Sequence, residues 1–111
     1  MAKRLNDKAY RGHIVAAGNR IQRYLKKKTL NQFLKDEMLQ AAVIRELEII
    51  GEAAKNLSLA FKSRHPHVPL RKVTGMRDVA IHDYFILDLP AVWGTATRRV
   101  PELLRQLKDE K

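Results

Sequence analysis

Apolar positions along the chain recur at spacings of three and four rather than two. Tyr10, Ile14, Ala17, Ile21 and Leu25 form one such stripe, which predicts an amphipathic helix capped at Asn6 or Asp7 and ending near Lys26, Lys27 and Lys28. Thr29 stands three residues before Gln32, a capping-box spacing, and opens a short turn whose apolar contacts are Leu30, Phe33 and Leu34. From about Asp36 to Phe61 there is no proline, and Leu39, Val43, Leu47, Ile50, Ala54, Leu57 and Phe61 keep the helical period. This stretch predicts one long central helix. Ile44, Ile49 and Ala53 lie off its stripe, and Gly51 would allow another helix to approach closely. A second apolar face is either a partner surface or a side covered by the chain's own neighbouring helices.

The segment Ser63 to Pro69 carries two prolines and predicts a turn, because the residue before each is biased to extended backbone. Its His65 and His67, without cysteine or an evident third ligand, do not make a metal site. Leu70 to Tyr84 reads as one or two short helical pieces hinged near Gly75. Asp88 then caps a last helix with Pro90 in its first turn. Leu89, Val92, Trp93, Ala96, Val100, Leu103, Leu104 and Leu107 share one face of that helix, with Arg98, Arg99, Arg105 and Lys108 elsewhere on it. Pro101 lacks an N–H and deprives the Thr97 carbonyl of its usual partner, so a kink is expected there. The expected fold is all-α, a four-helix up-and-down bundle with short extra helical turns, over a single domain at 1–111.

Composition narrows the function. The 111 residues are 45% hydrophobic, enough for one modest core, and no apolar run is long enough to span a bilayer or to serve as a secretory signal. A cytoplasmic, soluble protein with no membrane partner is expected. Absence of cysteine removes disulfides, thiolate zinc sites and cysteine nucleophiles. The 22 Lys and Arg outnumber 12 Asp and Glu, for a formal charge of +10, which favours nucleic acid or an acidic protein partner. Lys26, Lys27, Arg71 and Lys72 are candidate RNA contacts. With only 6% aromatics, a base-stacking platform is excluded as the binding mode.

Candidate chemistry concentrates between Gly75 and Tyr84. Arg77, His82 and Tyr84 combine a fixed cation, a group that titrates near neutrality and a phenol. Such a set suits phosphodiester cleavage without metal or cofactor. Arginine offers paired hydrogen bonds to phosphate oxygens, histidine moves a proton, and RNA supplies its own 2′-hydroxyl nucleophile. On a continuous helix Arg77 and Tyr84 share a side, whereas His82 lies roughly 140° from Arg77. One histidine also leaves two proton transfers short of a partner. A homodimer that juxtaposes two copies would supply the second His and Arg, and dimerisation with the site at the interface is therefore expected. The same residues could instead pair with charges and anchor a helix end.

Arg77 through Tyr84 fits the pattern R-x4-6-H-x-Y, and Val43 through Lys55 (VIRELEIIGEAAK) forms a second block on the central helix. Together, in this order, they resemble the HepT-like branch of the HEPN superfamily. The likeness extends over nearly the whole chain, including the His-Pro loop and the DLPAVW start of the last helix. The resemblance implies an all-α homodimeric ribonuclease that works without metal, the toxin of a prokaryotic type II toxin–antitoxin pair. It further implies an MNT-type nucleotidyltransferase antitoxin as partner, one that transfers AMP to the motif tyrosine, here Tyr84. By resemblance, Arg77 and His82 are catalytic, and Asp78 and Tyr84 shape the site. Two positions depart from the pattern: Asp78 stands where many relatives have Asn after the motif Arg, and Glu46 stands where Asn is frequent. A catalytically silent subunit that serves a nucleotidyltransferase, or a helical nucleic-acid-binding module, are the alternative readings.

Overall fold

The computed structural model describes residues 5–69, 72 and 88–108, and every regular element among them is helical. Helix α1 (Asp7–Leu25) starts where its sequence offers a cap: the Asn6 side chain accepts the Ala9 N–H at 2.9 Å, and Asp7 places an acid in the first turn. Ile14, Ala17, Ile21 and Leu25 are buried, as their spacing predicts, joined by Gly18. Helix α2 (Leu30–Leu34) has the complete capping box. The Thr29 hydroxyl accepts the Gln32 N–H, and the Gln32 side chain accepts the Thr29 N–H at 2.8 Å.

Helix α3 (Glu37–Lys55) is capped by Asp36 and buries Val43, Glu46, Leu47, Ile50, Gly51, Ala53 and Ala54. It is shorter than expected. The chain leaves the helix at Asn56 and begins a separate helix, α4 (Leu59–Arg64), with Ser58 as its cap. The physical reason lies on α1, since the Ser58 N–H and hydroxyl both donate to the Asp7 carboxylate, at 2.8 and 2.6 Å, while Ser58 Oγ accepts the Phe61 N–H. Leu57 within the break and Phe61 beyond it stay buried, so the apolar period runs through it.

The last helical arm consists of α5 (Leu89–Gly94), a π-helical segment (Thr95–Arg99) and α6 (Val100–Lys108). Asp88 caps it by accepting the Ala91 N–H at 3.0 Å, and Val92, Ala96, Val100, Leu103 and Leu107 are buried. Ahead of Pro101 the backbone widens into the π turn, in which the Val100 N–H reaches the Thr95 carbonyl. Wide turns of this kind absorb the loss of a donor and the steric push of a proline ring on the preceding turn. The adjustment at Pro101 thus takes the form of this π segment, and the Thr97 hydroxyl also donates to the Trp93 carbonyl at 2.8 Å.

Pairwise contacts set the directions of the arms. Asp7 meets Ser58 while Arg20 and Tyr24 meet Glu46, so α1 and α3 run antiparallel. Arg11 donates to the Leu107 carbonyl and Gly18 faces Leu104, so α6 is antiparallel to α1 as well. These are the relative directions of first, second and last arms in an up-and-down bundle. Helix α2 closes one end, where the buried Phe33 ring lies 5.5 Å from that of Trp93 on α5. The expected helical pieces between Leu70 and Tyr84, with their hinge at Gly75, lie outside the described residues. No helix among those described is long and apolar enough to cross a membrane.

Two glycines of α1 differ sharply in their surroundings. A Cβ on Gly18 would stand 2.8 Å from Leu104 Cδ2 and 3.1 Å from its Cγ, whereas a Cβ on Gly12 would have nothing within 4 Å. Gly12→Ala is therefore expected to raise stability by about 0.5–1 kcal/mol through helix propensity. Gly18→Val is expected to lower it by about 2 kcal/mol through overpacking. Urea denaturation of both variants checks the contrast, and equal changes would contradict the α1–α6 approach at Gly18.

Candidate functional site

Arg77, Asp78, His82 and Tyr84, with the candidate RNA contact Arg71, lie outside the described residues. What the structure gives is the frame on either side. Val68 is buried, its N–H donates to the His65 carbonyl at 3.0 Å, and the Gln106 side-chain amide donates to the His67 carbonyl at 3.2 Å. At the other boundary, Asp88 accepts from Ala91. One boundary is thus tied to the C-terminal arm at Gln106, and the other is the cap that opens that arm. His65 packs its ring 4.4 Å from that of Phe61, and His67 lies edge-on to it at 6.0 Å.

Of the other expected RNA contacts, Lys26 and Lys27 sit side by side where α1 ends. The Lys28 N–H closes the turn on the Leu25 carbonyl at 2.9 Å, which requires the left-handed backbone of Lys27 (φ 62°). All three lysines are exposed, and Lys72 is exposed as well. The Lys26–Lys28 turn is a knuckle of three cations with no ion pair among the described residues. Such a knuckle meets an anionic surface without first breaking internal contacts.

Glu46 has a role that sequence alone did not assign. It is the buried charged residue among those described, 6% exposed, on the side of α3 that faces α1. Its Oε1 accepts from Arg20 Nε and lies 2.9 Å from Nη2, while its Oε2 accepts the Tyr24 hydroxyl at 3.2 Å. Three donors on two oxygens offset the cost of burying a carboxylate. Arg20 and Tyr24 are four residues apart and hence on one face of α1, a signal that names a pair but not its partner across the bundle.

The described residues also line surface hollows on two sides of the bundle. One, about 400 Å³, runs between α1 and α3 over Tyr10, Ile49 and Ala53, with His13, Arg45, Glu48 and Glu52 among its rim residues. Arg45 and Glu48 on that rim approach at 3.6 Å, so the rim partly satisfies its own charge. The other, about 550 Å³, lies on the outward side of the C-terminal arm and is lined by Ala91, Gly94, Thr95, Arg98, Arg99 and Glu102.

Comparison with known proteins agrees with this frame. The family described as "Ribonuclease HepT-like" matches residues 14–110, a stretch that encloses the Arg77–Tyr84 motif. The chain is 42% identical over 98 residues to a probable ribonuclease HepT of Thermococcus cleftensis, covering 88% of this chain and 89% of that one. It is 43% identical over 81 residues to a candidate RNase of Caldanaerobacter subterraneus subsp. tengcongensis, covering 73% and 72%. It is 38% identical over 104 residues to a protein of Methanocaldococcus jannaschii named as a gamma-glutamylcyclotransferase and candidate RNase. There the match covers 94% of this chain but spans about half, 47%, of the longer relative. No solved structure matches the chain.

The Glu46 cluster has a measurable consequence. Glu46→Ala is expected to cost about 2 kcal/mol, less than the roughly 3–5 kcal/mol of a fully buried broken pair because Arg20 retains access to water. In a double-mutant cycle with Arg20→Ala, a coupling of about 1 kcal/mol or more is expected, and a coupling near zero would show that the contact stabilises nothing.

Proposed function

The chain belongs to the HepT-like ribonuclease family, and from that premise we propose that it is the toxin of a prokaryotic type II toxin–antitoxin pair, an endoribonuclease that needs no metal. RNase activity is the family-level reading. The observation that carries the finer one is the intact Arg77, His82 and Tyr84 set, which falls within the matched residues 14–110.

In this reading Arg77 holds the scissile phosphate through paired hydrogen bonds and neutralises charge that grows on its oxygens. The neighbouring RNA 2′-hydroxyl attacks phosphorus and the 5′-oxygen departs. The 2′-O–P bond forms as the P–O5′ bond breaks, giving a 2′,3′-cyclic phosphate and a 5′-hydroxyl. One proton must be removed from the nucleophile and one delivered to the leaving oxygen, which is work for two imidazoles. A homodimer supplies them as two copies of His82, with a second Arg77 beside the first. Asp78 orients Arg77 or His82, and Tyr84 shapes the site.

Neutralisation falls to an MNT-type nucleotidyltransferase partner that adds AMP to Tyr84. The added phosphates place negative charge where a substrate phosphate would bind. Lys26, Lys27, Arg71 and Lys72 contribute to attraction of RNA or of an acidic antitoxin surface. The basic balance of 22 to 12 supports either encounter.

One co-expression experiment tests the reading. Protein made with the candidate nucleotidyltransferase is expected to gain the mass of one or more AMP units, lost in Tyr84→Phe. Protein made alone is expected to cut RNA in EDTA, with His82→Ala slower by about 10²–10⁴-fold. Equal cleavage by wild type and His82→Ala would overturn the mechanism. A stable complex with no cleavage by the unmodified protein would assign the chain to a silent regulatory subunit instead.

A further inference from the structure

The outward face of the C-terminal arm holds a group of charges that the bundle does not use. Arg98, Arg99, Arg105 and Lys108 are all exposed. Among the described residues neither Arg98 nor Arg99 has a hydrogen bond or an ion pair. Glu102 lies on the same face, four residues from Arg98 and three from Arg99, and still pairs with neither. Among the described residues the outward side of the arm's helical turns therefore carries four cations against one carboxylate.

The π segment gives this face its shape. Arg98 and Arg99 are its last two residues, and its wider turn sets them together on the wall of the 550 Å³ hollow with Thr95 and Gly94. Apart from Glu102, the hollow's remaining wall is small. A Cβ on Gly94 would meet nothing within 4 Å, and Ala91 adds only a methyl group, so a ligand can reach the helix surface beside the two arginines.

Chemistry decides the class of ligand. Protein partners dock through large apolar or aromatic anchors that fill pockets, and the lining of this hollow contains none. A phosphodiester backbone needs no such anchor, since cations at suitable spacing suffice, and arginine adds a planar fork that matches phosphate oxygens. Along the arm Arg98 and Arg105 are about 10 Å apart at helical rise, so the cations follow a line rather than a point.

We infer that the outward face of the C-terminal arm, centred on Arg98 and Arg99 and extended by Arg105, is a binding strip for the RNA backbone. The strip rests on the proposed RNA-cutting function. It supplies affinity, and no bond is made or broken on it.

The test uses a labelled single-stranded 2′-O-methyl RNA, which binds but offers no free 2′-hydroxyl, titrated with full-length protein at several salt concentrations. The double variant Arg98→Gln/Arg99→Gln is expected to bind about 20-fold more weakly near 0.1 M salt. Its log–log salt slope should be shallower by about 1.4 for two lost phosphate contacts. Lys8→Gln/Lys55→Gln removes the same charge from exposed positions on α1 and α3 and is expected to change neither by more than a small amount. Arg98→Lys/Arg99→Lys should restore the slope. On cleavable RNA the Gln variant is expected to raise KM and leave kcat unchanged.

Unaltered affinity and slope in the Gln variant, as a protein-docking face would give, overturn the strip while leaving the nuclease reading intact. An equal loss in both double variants also overturns it, because net charge alone would then account for binding. If wild-type protein neither binds nor cuts RNA, the function itself fails, a result visible before any variant is compared.

Discussion

Register between α1 and α3 is the constraint on which the remaining structure depends. Ile14, Ile21, Val43, Leu47 and Ile50 are fully or almost fully buried in the core, each contributing about 1.5–3 kcal/mol of burial, but apolar contact alone is nondirectional. Two polar clasps fix the alignment. Asp7 holds Ser58 at one end, and Glu46 takes Arg20 and Tyr24 nearer the other. A slip by one helical turn would leave the Glu46 carboxylate buried without its donors, a far larger penalty than the loss of any one methyl contact.

The other elements build outward from that pair. Helix α6 lies on α1 at Gly18, where the missing side chain admits Leu104, and Arg11 caps the helix's last turn by donating to the Leu107 carbonyl. Helix α2 brings Phe33 against Trp93, which ties the last turn of α5 to the end of the bundle that α2 closes. The chain between Pro69 and Asp88 is attached at both boundaries to this C-terminal arm. The boundaries of that segment are thus linked to the α1–α3 pair through the C-terminal arm.

Most of this frame was legible in the sequence where a local rule was sufficient. The stripes of α1 and of the C-terminal arm, the capping box at Thr29 and Gln32, and the Asp88 cap each depend on neighbours three or four residues away. Features set by distant partners were not legible. The break at Asn56 to Ser58 escaped notice because Leu57 and Phe61 keep the period, and the reason for the break sits on α1 at Asp7. Gly18 looked like any helical glycine until Leu104 was placed beside it. Pro101 announced a disturbance, but not that a π segment would absorb it or that Arg98 and Arg99 would share the resulting wall. For the candidate site the motif itself was readable, since Arg77, His82 and Tyr84 fall within eight consecutive residues, and the family match encloses them.

The charge distribution joins fold to function. Among the described residues the buried core is apolar apart from Glu46, and their excess of positive charge is displayed on outer faces: the Lys26–Lys28 knuckle and the C-terminal arm among them. Such a surface attracts polyanions at long range without distinguishing their sugars. In the proposed mechanism the distinction between RNA and other polyanions falls on Arg77 and His82, with the nucleophile drawn from the substrate. The most direct measurement compares an RNA oligonucleotide with the same sequence bearing a single 2′-deoxy nucleotide immediately 5′ of the cut, with the ends of any products identified by mass. Cleavage of the first to 2′,3′-cyclic phosphate and 5′-hydroxyl ends, with the second uncut at that position, is the predicted result. Cleavage of both at equal rates, or product ends bearing a 5′-phosphate, would contradict the account.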